Sequence, residues 1–457
     1  MIYSANDTAL WNFIIQFGII AAVILAANFL RRKIPFIRKS LMPTAVLAGF
    51  ILFILRSLNI LPLNLAFLEM ITYHGIAFGF IAMSLRITEK PEGGGSLTGA
   101  KSGALIVSTY LVQAVTGLVI TLFLAYTVMP DLFKAAGILL PMGYGQGPGQ
   151  ANNIGGAYEA LGFAGGRSFA LSIAAAGYLV ACIAGIAALN IFARRGKIKR
   201  IEHDEISGSV TIDTFQDKDE LPVSESLDRL SIQFAMVIIV YLLTYLAISG
   251  VTSFFSAVSE DIAATVNSLF WGFNFIIASA LALLARFVLG KLRRSGIITK
   301  QYQNNYLLGR ISGLAFDLMI IAGIASIEIS DLTGLWVPFA LSAVFGGIVT
   351  WIYLSVVCKK IYPGYYYEGY FSMFGMMTGT ISSGVLLLRE IDPEYKTPAA
   401  NNLVVGSTFG IVFGAPMLIL VGLAPKSDIQ CLLTLGLCVL YLIILLLFMY
   451  KANRRKP

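Results

Sequence analysis

Residues 141–153 read PMGYGQGPGQANN and lie inside an uncharged stretch, 135–158, that is long enough to enter a membrane. It cannot be one continuous helix. Gly143, Gly145, Gly147, Gly149, Gly155 and Gly156 crowd around Pro148, and an interior glycine costs a helix about 1 kcal/mol relative to alanine, a proline about 3 kcal/mol. A second uncharged stretch, 369–388, carries Gly375, Gly379 and Gly384 among hydroxyl side chains. Both are predicted to be re-entrant hairpins. Non-helical backbone at membrane depth persists only where it is buried in protein or faces a watery cavity.

The rest of the chain supplies the membrane context. Of its 457 residues, 57 % are hydrophobic and only 13 % charged, against about a quarter charged in an ordinary soluble domain. Uncharged runs cover 8–30, 102–130, 230–259, 332–358, 397–425 and 429–450, each long enough for the roughly 20 residues that a spanning helix needs. Eleven membrane helices are expected, at 8–30, 41–57, 70–86, 102–129, 167–193, 231–249, 265–288, 311–329, 334–358, 398–422 and 429–450. The first is expected to be retained, because its leader lacks Lys and Arg and its basic cluster follows the apolar run. The longest polar stretch, 194–229, is too short for a self-supporting soluble core. The four cysteines lie in or beside apolar runs, which argues against a disulfide framework, and no Cys/His cluster has metal-ligand spacing.

With the N-terminus outside and the C-terminus cytoplasmic, 29 of the 33 basic residues fall on the cytoplasmic side, as the positive-inside rule requires. The expectation is an all-α polytopic membrane protein in the cell membrane. Its first repeat of five helices occupies 1–194 with hairpin 135–158. A cytoplasmic linker follows at 195–230, and a second five-helix repeat at 231–422 carries hairpin 369–388. An extra transmembrane helix and basic tail complete it at 423–457. Five is odd, so the repeats are inverted and their hairpins enter from opposite sides. Gly75-Ile-Ala-Phe78 is echoed by Gly313-Leu-Ala-Phe316, Gly145-x-x-x-Gly149 by Gly375-x-x-x-Gly379, and Asn152-Asn153 by Asn401-Asn402. The extra helix has no counterpart and is expected to be peripheral.

Chemistry concentrates in the hairpins. Glycine backbone leaves amides and carbonyls open to a ligand, while Gln146, Gln150, Asn152 and Asn153 add neutral donors and acceptors. Such a lining suits a small zwitterion or anion; the alternative is close helix packing through small residues. Thr378, Thr380, Ser382 and Ser383 offer hydroxyls for sodium or for a substrate carboxylate, or bond back to their own helix. Asp317 is an ionisable group within an apolar helix, and such groups mark pathways; it is a sodium ligand, a proton-coupled carboxylate or half of an ion pair. Arg389 suits a bidentate carboxylate contact or is simply a cytoplasmic positive charge. His74, Glu159 and Glu328 lie near span ends and read as interfacial. No phosphate-binding loop is present, since no Lys-Ser/Thr follows the glycines.

Residues 371–402, FSMFGMMTGTISSGVLLLREIDPEYKTPAANN, together with 139–153, LLPMGYGQGPGQANN, resemble the bacterial sodium/glutamate symporter family, which is distantly similar to the citrate and 2-hydroxycarboxylate symporters. The resemblance implies two inverted five-helix repeats, sodium-coupled glutamate uptake, and a homodimer whose transport domains slide against a scaffold. It places Gly145, Gln146, Gly147, Pro148, Gly149 and Gln150 at one substrate-binding tip, and Thr378, Gly379, Thr380, Ser382 and Ser383 at the other. Asn152, Asn153, Asp317, Asn401 and Asn402 are the candidate sodium ligands. The function expected is sodium-driven symport of glutamate or a related small carboxylate by alternating access, with sodium as coupling ion, no other cofactor, and no nucleic-acid partner. The alternatives are proton coupling or another carboxylate, a passive channel, and, from a different class, an intramembrane enzyme using Asp317.

Overall fold

A computed structural model of the chain describes residues 8–35, 37, 42–87, 96–198, 229–258, 270–271, 274–298, 300–392 and 396–454. Most of the expected linker, including His203, lies outside the described residues, as does the side chain of Ser382. The regular elements are helices: α1 (Thr8–Lys33), α2 (Thr44–Ser57), α3 (Leu65–Leu85), α4 (Ser96–Thr127), α5 (Leu139–Tyr144), α6 (Pro148–Glu159), α7 (Gly166–Arg194), α8 (Arg229–Val258), α9 (Asn274–Arg294), α10 (Asn305–Ala325), α11 (Trp336–Ile361), α12 (Tyr366–Thr378), α13 (Ile381–Arg389), α14 (Ala399–Leu423) and α15 (Asp428–Arg454). Short 3-10 turns at Lys134–Ile138 and Ser330–Leu332 complete the order.

Ten of the eleven expected spans coincide with helices, and the seventh, 265–288, does so over 274–288, most of 265–273 lying outside the described residues. Ten of these eleven helices are long and apolar enough to cross a membrane. The exception is α2, whose 14 residues reach only about 21 Å at 1.5 Å per residue, short of a core about 30 Å thick. Boundaries moved where charge was read as a stop. Helix α10 begins at Asn305 rather than 311, because the Asn304 Oδ1 accepts from the Leu307 amide at 2.8 Å and caps the helix ahead of Arg310. Helix α9 continues through Lys291, Arg293 and Arg294, whose long stems let the charge leave the apolar layer.

The chain forms two compact units, which interleave the sequence halves: Met1–Met70, Glu92–Glu202 and Ile320–Pro457 make the first, Ile71–Pro91 and His203–Met319 the second. In the first, α4 is packed by α11, α14 and α15. Helix α14 crosses it through small residues, where a Cβ on Gly406 would stand 2.9 Å from that of Ser102. Helix α15 buries Cys431, Thr434, Cys438 and Leu445 and exposes Leu433, Leu440, Ile444 and Leu447, so it lies at the edge of this unit. Its Tyr441 hydroxyl donates to the Phe413 carbonyl at 2.6 Å. The four cysteines are buried and unbonded to each other.

Charged groups of the first unit sit at helix ends. Arg56 pairs with Glu328 at 2.5 Å, and Arg167 pairs with Glu69 and, at 3.8 Å, with Glu159. In the second unit, Ile81, Leu85, Val237, Ala278, Ala282 and Leu308 form the core. The echoed segments 75–78 and 313–316 lie against each other there: a Cβ on Gly75 would be 3.1 Å from the Ala315 carbonyl, and one on Gly79 would strike the Phe316 ring. His74 Nδ1 and the Tyr241 hydroxyl are 2.6 Å apart in the same unit.

Candidate functional site

Both glycine-rich stretches are broken helices. Helix α5 stops at Tyr144, and α6 restarts at Pro148, whose fixed φ suits the first helical position. The residue between them that sets the geometry is Gly147, the N-cap of α6, at φ 82° and ψ −175°. Only glycine adopts that conformation without strain. Helix α12 ends at Thr378; Gly379 follows at φ −143° and ψ −102°, Thr380 is extended, and α13 begins at Ile381. Helices α12 and α13 fold back on each other so closely that a Cβ on Gly375 would lie 2.7 Å from the Ser383 carbonyl.

The two breaks meet. A Cβ on Gly147 would be 3.7 Å from the Gly379 carbonyl oxygen, 3.7 Å from Thr380 Cγ2 and 3.8 Å from the Tyr178 hydroxyl. Helix α7 approaches through Gly177, where a Cβ would collide with the Thr378 carbonyl at 2.3 Å. From α4, Gln113 donates through Nε2 to the Met377 carbonyl and to Thr350 Oγ1 of α11, both at 2.9 Å. Its Oε1 would lie 3.0 Å from a Cβ on Gly145, so one amide touches both broken helices. Tyr144 donates from its hydroxyl to the Ala343 carbonyl of α11. Gln113, Tyr178 and Thr350 all stand near the midpoints of α4, α7 and α11, so the breaks lie level with the middle of these three helices.

Two electrostatic features follow. The N-termini of α6 and α13 converge on one point, and each helix N-terminus acts as roughly half a positive charge with free amides. Around them, buried side-chain atoms make no hydrogen bond: Gln113 Oε1, Gln150 Oε1, Asn152 Oδ1, Asn153 Nδ2, Thr380 Oγ1 and Ser383 Oγ. Gln150 and Ser383 are each 3 % exposed. Thr380 occupies the N-cap of α13, where a threonine ordinarily accepts from the first turn, yet it makes no such bond. An unpaired buried polar group costs about 1–3 kcal/mol, so these atoms are available to a polar ligand or to ordered water.

The structure thus brings Gly147 together with Gly379 and Thr380, and Gly379 with Ser383, while Gly145 lies beside Gln113. Pro148, Gly149, Gln150, Asn152 and Asn153 are buried along α6, and Gln146 is half-buried in the first break. Asn152 Nδ2 lies 3.4 Å from Asn153 Oδ1. Thr378 is spent locally, its hydroxyl donating to the Phe374 carbonyl at 2.8 Å. Arg389, Asn401 and Asn402 are not brought to the tips. Arg389 closes α13 at the end opposite Thr380, about 13 Å away along nine residues of helix. Asn402 donates to the Tyr365 hydroxyl at 2.6 Å beside the start of α12, and Asn401 is exposed. Asp317 belongs to the second unit and is exposed there. Sequence reasoning missed Gln113, Tyr178 and Thr350; a lone amide in the 29-residue uncharged run 102–130 was the available signal for the first. Compared with models of protein families and with curated proteins, the chain matches none of them.

Proposed function

We propose that this chain is a secondary active transporter that couples sodium entry to uptake of glutamate or a related small carboxylate by alternating access. The observation that carries it is the meeting of two helix N-termini at Gly147 and Thr380, level with the middle of α4, α7 and α11, among buried polar atoms that lack partners. Discontinuous helices of this kind hold an anionic group at their N-termini and cations at freed carbonyls and hydroxyls. A carboxylate takes the amide-rich ends of α6 and α13. The unpaired oxygens of Gln150, Asn152, Thr380 and Ser383 suit a hard cation. Asp317 in the second unit is the carboxylate for ion coupling, and Asn153 completes the sodium candidates near the first break.

The reading includes an N-terminus outside, a cytoplasmic C-terminus, hairpins entering from opposite faces, and a homodimer moving its transport units past a scaffold. Near absence of ionised side chains around the tips fits a site that must release its cargo: a neutral lining binds without trapping a charge. The test is uptake of labelled glutamate into proteoliposomes under an inward sodium gradient. Saturable uptake that collapses when potassium replaces sodium is expected. Saturable uptake driven by a proton gradient in sodium-free buffer would reassign the coupling ion, and unsaturable flux would mark a channel.

A further inference from the structure

The second unit holds a cavity of about 820 Å³ at the basic end of α9, apart from the broken helices. Its cations are Arg286, Lys291, Arg293, Arg294 and Lys300, and no Asp or Glu lines it among the described residues. The remaining wall is apolar, with Leu283, Phe287, Leu289 and Ile298. Arg286 donates to the Arg86 carbonyl at 2.8 Å, a neutral acceptor that cancels no charge, and Arg293 donates to Gln301 Oε1 at 2.7 Å. Arg86 itself, next in the chain to the lining residue Ile87, has a buried Nε that makes no hydrogen bond.

Depth narrows the ligand. Helix α9 is of membrane length, and its last turn carries Lys291, Arg293 and Arg294, so the cavity sits at the headgroup level. Along the same helix, Leu284, Phe287 and Val288 are exposed, and Phe287 also lines the cavity. The cationic pocket is therefore continuous with an apolar face. Topological positive charge needs no cavity, and a free anion needs no apolar wall; a lipid uses both. Basic pockets between membrane helices are suited to anionic headgroups. We propose that this cavity binds the phosphate headgroup of an anionic phospholipid, with its acyl chains along Leu284, Phe287 and Val288.

The test uses the full chain, delipidated in neutral detergent, with phosphatidylglycerol, phosphatidylcholine and inorganic phosphate as probes, read by native mass spectrometry. Phosphatidylglycerol is expected to bind at least about tenfold more tightly than phosphatidylcholine. The combined variant R286Q/K291Q/R294Q should lose about a hundredfold, at roughly fivefold per cation near an anionic surface. A readout on the unmutated protein guards against misfolding of the variant. Amine-reactive labelling of Lys291 and Lys300 should fall when phosphatidylglycerol is added, and labelling of Lys426, outside the cavity, should not. Equal binding of the two lipids, undiminished binding by a folded triple variant, or unprotected lysines would each overturn the proposal. So would inorganic phosphate that protects both lysines and displaces the lipid, because the site would then serve a soluble anion.

Discussion

Gly147 and Gly379 face each other across the two broken helices, a Cβ on the first standing 3.7 Å from the carbonyl oxygen of the second. Each flanks the N-terminus of a half-helix, α6 and α13. Apposition of these ends joins two local breaks into one candidate site, because the positive ends of both helices then act on the same small volume.

Gly147→Ala tests the geometry of the tip. The nearest atoms to the added carbon lie 3.7 Å away, so space is sufficient; the φ of 82° is what alanine resists. A loss of about 1–3 kcal/mol of stability is expected from the backbone alone, with uptake reduced by at least about tenfold as the tip shifts. Thermal unfolding in detergent and proteoliposome uptake measure the two effects, and an unchanged variant in both would show that the tip tolerates another backbone.

Ser383→Ala and Thr380→Val remove hydroxyls that have no partner in the protein. Stability without substrate should stay within about 1 kcal/mol of wild type or rise, since an unsatisfied buried group is lost. Affinity for substrate or sodium should fall by roughly tenfold, the worth of one good hydrogen bond to a charged ligand. Calorimetric binding beside melting curves separates the effects; a large loss of stability with intact affinity would make these hydroxyls structural.

Gln113→Leu should behave in the opposite way. It strips the Met377 carbonyl and Thr350 of their donor at the junction of α4, α11 and α12. A destabilisation of about 1–3 kcal/mol is expected, the desolvation cost of the groups left unpaired. A melting temperature equal to that of wild type would count against the role assigned to this amide.

Asp392 gives the acid limb of stability. Burial alone would raise its carboxyl, but hydrogen bonds from Thr397 and Lys396 outweigh burial and hold it below the usual carboxylate range. The Thr397 hydroxyl donates at 2.6 Å and the amides of Lys396 and Thr397 at 2.9 Å. A carboxylate depressed in the folded state stabilises above its unfolded pKa of about 3.9, and that contribution fades as pH falls through the folded value. Asp392→Asn should therefore lower stability near neutrality and flatten its decline below pH about 4. Melting curves from pH 3 to 7 decide it, parallel acid limbs being the contrary outcome.

Asp317→Asn probes ion coupling with almost no change in volume. Apparent sodium affinity for uptake is expected to fall while expression persists. Sodium-activation curves identical to wild type would leave Asp317 a structural carboxylate.

The helical spans and the positions of both breaks were legible in the sequence, because each depends on a short-range property. An uncharged run of some 20 residues suffices for a membrane-length helix, and the glycines around Pro148 and at Gly379 are enough to interrupt one. Boundaries were less legible where capping outweighed charge, as at Asn304 ahead of α10. Which polar residues meet was decided only by the tertiary structure. Asn152-Asn153 and Asn401-Asn402 look alike in sequence, yet the first pair follows the Gly147 tip while Asn402 is occupied by Tyr365. Gln113 shows locally only as a lone amide in an uncharged run, and its partners on α11 and α12 lie more than two hundred residues away in the chain. Local propensity fixes whether backbone continues as helix; a binding site requires side chains from distant helices at one depth, and their packing sets that.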